Sequence, residues 1–175
     1  MNFPIEKAKK IRLLILDVDG VLTSGRLYYG PNSLRMLDFH IQDGLGMKLL
    51  QKSGVEIAII TSRTSDAVTE RMAELNIKYV FQAQHEKIIA YESLKNTLQL
   101  SDKEIACMGD DLPDLPLLRR VGLSATVANA PNIIQQQVDW ISEKNSGDGA
   151  VRALCEALMQ AQNTWDAMMK PFLQA

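Results

Sequence analysis

A chain of 175 residues with a net charge of −2 is long enough for one domain with a single substantial core, and it is too weakly charged to suggest a nucleic-acid partner. Its composition, 46% hydrophobic and 23% charged, is ordinary for a globular protein. The segment Met1 to Lys10 lacks the apolar stretch of a signal peptide, and no run approaches the roughly 18 apolar residues of a membrane span. Cys107 and Cys155 have no metal-type spacing and read as buried thiols in a reducing compartment, so a cytoplasmic location is expected.

Ile11-Arg12-Leu13-Leu14-Ile15-Leu16 reads as a buried strand that ends at Asp17-Val18-Asp19-Gly20. Arg26-Leu27-Tyr28-Tyr29 and Leu34 to Phe39 flank the turn Gly30-Pro31-Asn32-Ser33, a hairpin signature. Asp43 is expected to cap a helix carrying Leu45, Leu49 and Leu50 and ending at Gly54. Val55 to Ile60 is a second core strand, with Thr61-Ser62-Arg63 at its end. Val68, Met72 and Leu75 mark one helical face between Ser65 and Leu75.

Lys78 to Phe81 reads as a third strand, followed by a helix from about His85 to Leu98. Ser101 and Glu104 have capping-box spacing, but the apolar run after them is too short for a helix. That run, Ile105 to Met108, is a fourth strand ending at Gly109-Asp110-Asp111. A helix from Pro113 to Arg120, a strand from Leu123 to Val127 and a last helix opened by Gly149 complete the pattern, with a loose tail expected past Asn163. Strands alternating with helices imply an α/β fold, a Rossmann-like parallel sheet flanked by helices. One domain over 1–175 is expected, with a hairpin flap at about 25–40 and a C-terminal helix and tail at about 149–175.

Parallel strands put Asp17 and Asp19, Thr61, Lys87, and Asp110, Asp111 and Asp114 along one edge of the sheet. Taken singly, each has a plain structural role: an Asp-x-Asp turn, a loop hydroxyl, a solvated lysine, a helix N-terminus. Together they crowd carboxylates that cannot all stay ionised without a cation, and all-oxygen ligation suits Mg²⁺.

In order and type these residues resemble the haloacid dehalogenase-like phosphohydrolases. Asp17-Val18-Asp19-Gly20-Val21-Leu22-Thr23 is similar to that family's first motif, Thr61 to its second, Lys87 to its third and Gly109-Asp110-Asp111-Leu112-Pro113-Asp114 to its fourth. The resemblance implies that Asp17 attacks phosphorus and that Asp19 protonates the leaving alcohol and deprotonates the hydrolytic water. It implies Mg²⁺ held by Asp17, the Asp19 carbonyl and Asp110, with Asp111 and Asp114 supporting, and Thr61 and Lys87 on the phosphoryl oxygens.

The links after Asp19 and Thr61 leave no room for a cap domain. The whole chain resembles the capless, tetrameric 3-deoxy-D-manno-octulosonate 8-phosphate phosphatase family, through Phe39-His40-Ile41-Gln42-Asp43-Gly44, Thr61-Ser62-Arg63, Arg71 and Ser146 to Arg152. That resemblance implies a phosphorylated sugar-acid substrate in lipopolysaccharide precursor synthesis, contacted by Asp19, Phe39, His40, Gln42, Asp43, Gly44, Arg63, Arg71 and Lys87. It also implies a homotetramer in which neighbouring subunits cover the site, with the hairpin as the candidate lid. Gln42 stands where an Arg is common, and a nine-carbon sugar acid 9-phosphate is the alternative substrate. A receiver-type phosphoacceptor domain is the alternative of another class, although the strand ending at Thr61 lacks the Asp such a domain needs.

Overall fold

The four apolar residues of β1 (Leu13–Leu16) are all buried, as a strand covered on both faces requires. In this computed structural model, which describes residues 3–31 and 35–174, β1 lies between β4 (Glu56–Ile60) and β6 (Ile105–Met108). Leu13 stands opposite Glu56 on one side and Ile105 on the other. Beyond β4 lies β5 (Tyr79–Phe81), and beyond β6 lie β7 (Leu123–Thr126) and β8 (Trp140–Ile141). All five pairings of this six-stranded sheet are parallel.

Helices flank the sheet. α2 (Ile41–Lys52) packs along α7 (Ala150–Ala161), where Gly46 lets the helices approach and a Cβ would collide with Arg152. α7 buries Val151, Leu154, Cys155, Leu158 and Met159, a stripe at helical spacing. α4 (Lys87–Leu98) packs on the short α5 (Leu115–Leu118), and α3 (Asp66–Glu74) buries Val68 and Met72. The short α1 (Ile5–Ala8) packs on α7, and α6 (Asn132–Gln135) precedes β8. Between β1 and α2 the chain forms a separate antiparallel pair, β2 (Tyr28–Tyr29) with β3 (Arg35–Met36). Asn32, Ser33 and Leu34 of the expected hairpin turn lie outside the described residues.

Three local expectations are corrected. Asp43 does not cap α2: the helix begins two residues earlier with His40 at the cap, and Asp43 sits inside its first turn. The Ser101–Glu104 capping box forms as its spacing suggests, on the single 3₁₀ turn Asp102–Glu104, and Ile105 to Met108 after it is the expected strand. The expected helix from Pro113 to Arg120 is split into a 3₁₀ turn, Leu112–Asp114, and α5. Pro113 and Pro116 carry no N–H and so are placed at helix starts, where no such donor is needed. The tail past Asn163 is helical, α8 (Trp165–Leu173), with Trp165, Met168 and Met169 packed against the core. Pro171 lies near its end, where it removes little of the hydrogen-bond ladder.

Ala83 has φ +57, a left-handed conformation that an L side chain adopts at a cost of about 1–2 kcal/mol. It lies between β5 and Lys87, and its N–H donates to the Arg63 carbonyl at 3.3 Å. Glycine relieves that strain but loses about 0.5–1 kcal/mol of chain entropy. Ala83→Gly should therefore stabilise the protein by about 0.5–1 kcal/mol. A higher urea midpoint at constant slope is the expected readout.

Candidate active site

Because β1, β4, β5 and β6 run parallel, the loops after them share one edge. Directly after β1, Asp17 is buried, and its Oδ1 accepts a hydrogen bond from Lys87 Nζ at 2.5 Å. Lys87 opens α4, is itself buried, and donates a second bond to Asp114 Oδ1 at 2.6 Å. The other Asp114 oxygen accepts the backbone N–H groups of Asp110 at 3.0 Å and Asp111 at 3.3 Å, which shapes the loop after β6. Carboxylate oxygens of Asp17, Asp110 and Asp114 come within 4.8 Å of one another. Gly20, at φ +95, closes the first loop over Asp110, and a Cβ there would overlap that carboxylate.

Asp19 lies beside this cluster. Its Oδ2 is 3.8 Å from Arg63 Nε, and its Oδ1 is buried without a partner among the described residues. Thr61, also buried, follows β4, and its hydroxyl accepts the Arg63 N–H at 3.5 Å. Asp19 and Thr61 line a cleft of about 550 Å³ together with Arg63, the first turn of α3, and Arg35 and Leu37 of the hairpin.

The remaining sequence-predicted residues lie apart from the carboxylates. Phe39 and Arg71 line a shallower depression of about 260 Å³, which adjoins the cleft through the shared Leu37, Ala67 and Glu70. Arg71 pairs with Glu74 at 3.0 Å, and its guanidinium occupies the space a Cβ on Gly44 would need. His40 has a buried Nδ1 without a partner among the described residues, and Gln42 is exposed. Asp43 is 1% exposed and its Oδ1 accepts the Arg152 N–H at 2.7 Å, so it serves the start of α7. Burial raises the Asp43 carboxyl pKa, which that N–H opposes. Asp111 caps the 3₁₀ turn through the Leu112 N–H and stands outside the carboxylate group.

Arg35 was not among the sequence-derived candidates. The signal for it was the two-residue period of a strand, which places Arg35 on the same face as Leu37.

A family model described as haloacid dehalogenase-like hydrolase matches residues 79–154. The 3-deoxy-D-manno-octulosonate 8-phosphate phosphatase KdsC of Escherichia coli K12 is 41% identical over 162 residues, 93% of this chain and 86% of its own. The chain belongs to this family of haloacid dehalogenase-like hydrolases. Solved relatives agree in fold. The 3-deoxy-D-manno-octulosonate 8-phosphate phosphatase of Moraxella catarrhalis, in complex with magnesium ion, phosphate ion and KDO, has a TM-score of 0.94 at 39% identity, over 96% of this chain and 97% of that one. The Yersinia pestis phosphatase of the same name has a TM-score of 0.91 at 37% identity, over 93% of this chain and 88% of that one.

The charges of this family member's site call for a cation. Burial, with the charge of Asp114 added, pushes the Asp17 carboxyl up to about 7 against the opposing pull of Lys87. Burial and the charges of Asp17, Asp114 and Asp111 push Asp110 up to about 8. Burial alone would lower the Lys87 pKa, but Asp17 and Asp114 hold it above the ordinary lysine value. One ammonium therefore faces three carboxylates, and a hard divalent cation with oxygen ligands fits the excess.

Those raised values set a pH dependence. In metal-free protein the folded state keeps protons on Asp17 and Asp110 that the unfolded chain releases above about pH 4. Stability should therefore fall as pH rises from about 4 through about 7–8, the folded values of these two groups. Thermal melts in EDTA should show a lower midpoint at pH 8.5 than at pH 5.5. Added Mg²⁺ should raise the midpoint most at the higher pH, because it binds only the folded state.

Proposed function

We propose that this chain is a Mg²⁺-dependent phosphomonoesterase that hydrolyses 3-deoxy-D-manno-octulosonate 8-phosphate to the free sugar acid and phosphate, a step toward lipopolysaccharide. The observation that carries this reading is Asp17, gripped by Lys87 beside Asp110 and Asp114, in a chain collinear with KdsC over 93% of its length.

The residues divide the work. An Asp17 oxygen attacks phosphorus and forms an aspartyl-phosphate as the bond to the sugar oxygen breaks. Asp19 gives its proton to that leaving oxygen, then takes one from the water that attacks the aspartyl-phosphate and frees Asp17. Its unpartnered Oδ1 leaves it free for both transfers. Thr61 and Lys87 hold the equatorial phosphoryl oxygens. Asp17, the Asp19 carbonyl and Asp110 would hold Mg²⁺, which supplies charge neutralisation at the phosphoryl group. Asp114 keeps Lys87 and the Asp110 loop in place. Arg63 serves the sugar acid from the cleft, and Phe39 and Arg71 from the adjoining depression, with His40, Gln42 and Gly44 at the start of α2.

We also infer a single domain, a cytoplasmic location and a homotetramer. In support, no helix among the described residues is long and apolar enough to cross a membrane. Leu27, Tyr28, Tyr29 and Met36 of the hairpin are all exposed, an apolar surface for neighbouring subunits to cover. The function is tested by EDTA treatment. Phosphate release from 3-deoxy-D-manno-octulosonate 8-phosphate should stop and return with Mg²⁺; release that persists without a divalent ion would overturn the metal dependence.

A further inference from the structure

The cleft beside Asp19 holds cations of unequal availability. Arg63 shares its charge with Asp19, at 3.8 Å, and Arg71 with Glu74, at 3.0 Å, which leaves both able to meet the sugar's hydroxyls but partly neutralised toward a second carboxylate. Arg35, exposed on β3, makes no ion pair among the described residues and lines the same cleft as Asp19 and Thr61. The cleft's lining also includes Asp66 and Glu70 from the first turns of α3. Those two acids repel an anion from the α3 side and leave the hairpin side as the place for one.

We propose that Arg35 is a specificity-determining residue: with the phosphoryl group at Asp17, the hairpin carries this guanidinium to the carboxylate of the sugar acid. The inference rests on the phosphatase reading above and deepens it, since it names the group that separates an acidic sugar phosphate from a neutral one. Arginine suits the task because its planar fork matches a carboxylate with two parallel hydrogen bonds. β3 belongs to a two-stranded sheet separate from the strands that carry the catalytic carboxylates, so the cation reaches the cleft from a different element.

The test compares wild type, Arg35→Ala and Arg35→Lys on 3-deoxy-D-manno-octulosonate 8-phosphate and on ribose 5-phosphate, which has no carboxylate. Arg35 is exposed, so neither change threatens folding. Loss of a charge-assisted contact should lower kcat/KM for the sugar acid about 10- to 100-fold in Arg35→Ala, through KM, and leave ribose 5-phosphate unchanged. Arg35→Lys should recover part of the loss. If wild type prefers the sugar acid and Arg35→Ala keeps that preference, or loses activity equally on both substrates, the assignment of Arg35 is overturned while the phosphatase reading stands. If wild type itself shows no preference for the acid, the substrate reading fails first and takes this assignment with it.

Discussion

Asp17→Asn will remove turnover, by about 10,000-fold or more, while leaving the fold intact. An amide of the same shape still offers Lys87 an oxygen, so the 2.5 Å contact has a substitute, but it cannot form an acyl phosphate. The variant also removes one charge from a group of three carboxylates that share a single ammonium. Because burial already holds the Asp17 pKa up at about 7, ionising it at higher pH costs the folded state stability. Asp17→Asn should therefore melt at or above the wild-type temperature in EDTA at pH 8.5. A dead enzyme with an undiminished melt separates lost chemistry from lost structure. Retained turnover in a clean preparation would remove Asp17 as the nucleophile.

Lys87→Met should do the opposite to stability. Lys87 is 4% exposed and bridges two carboxylates that are 7% and 3% exposed, so its loss leaves both buried without a counter-charge. Breaking a buried ion pair from one side costs about 3–5 kcal/mol, more than the pair's own net contribution, because the orphaned charge stays in place. Urea unfolding at pH 8 in EDTA should show that loss. It should shrink at pH 5, where Asp17, whose pKa burial raises, takes up a proton. Adding Asp114→Asn to Lys87→Met should restore part of the stability, since the two residues touch and their effects cannot be additive. Turnover should stay negligible in both variants, because neither has an ammonium to hold the phosphoryl oxygens.

The catalytic edge was legible because each member sits where an apolar run stops. Leu13 to Leu16 is apolar throughout, so the strand could only be central, and Asp17 had to emerge at its end. The same logic placed Thr61 after Ile60 and Asp110 just past Met108. A parallel sheet then brings these ends to one edge whatever lies between them. What could not be read was which long-range partner each polar residue takes. Asp43 has the composition of a helix cap, but its carboxylate is used 109 residues away, on the Arg152 N–H. Nothing local in the sequence signals that contact. Helix α8 is not legible in the sequence because Pro171 and its exposed apolar residues, Phe172 and Leu173, resemble a frayed end, while the partial burial of Trp165 and Met168 depends on the core already being present. Arg35 is masked in the sequence by its apolar neighbours on the hairpin, Tyr28, Tyr29 and Met36, which mark that segment as a contact surface.

The most direct measurement of the central claim is phosphate release by the wild-type enzyme, with Mg²⁺, across a panel of sugar phosphates that includes the eight- and nine-carbon sugar acids. The residues around Asp17 and the cleft beside Asp19 predict kcat/KM highest for 3-deoxy-D-manno-octulosonate 8-phosphate and well below it for sugars without a carboxylate. Equal, weak release from every member of the panel would contradict a dedicated sugar-acid phosphatase.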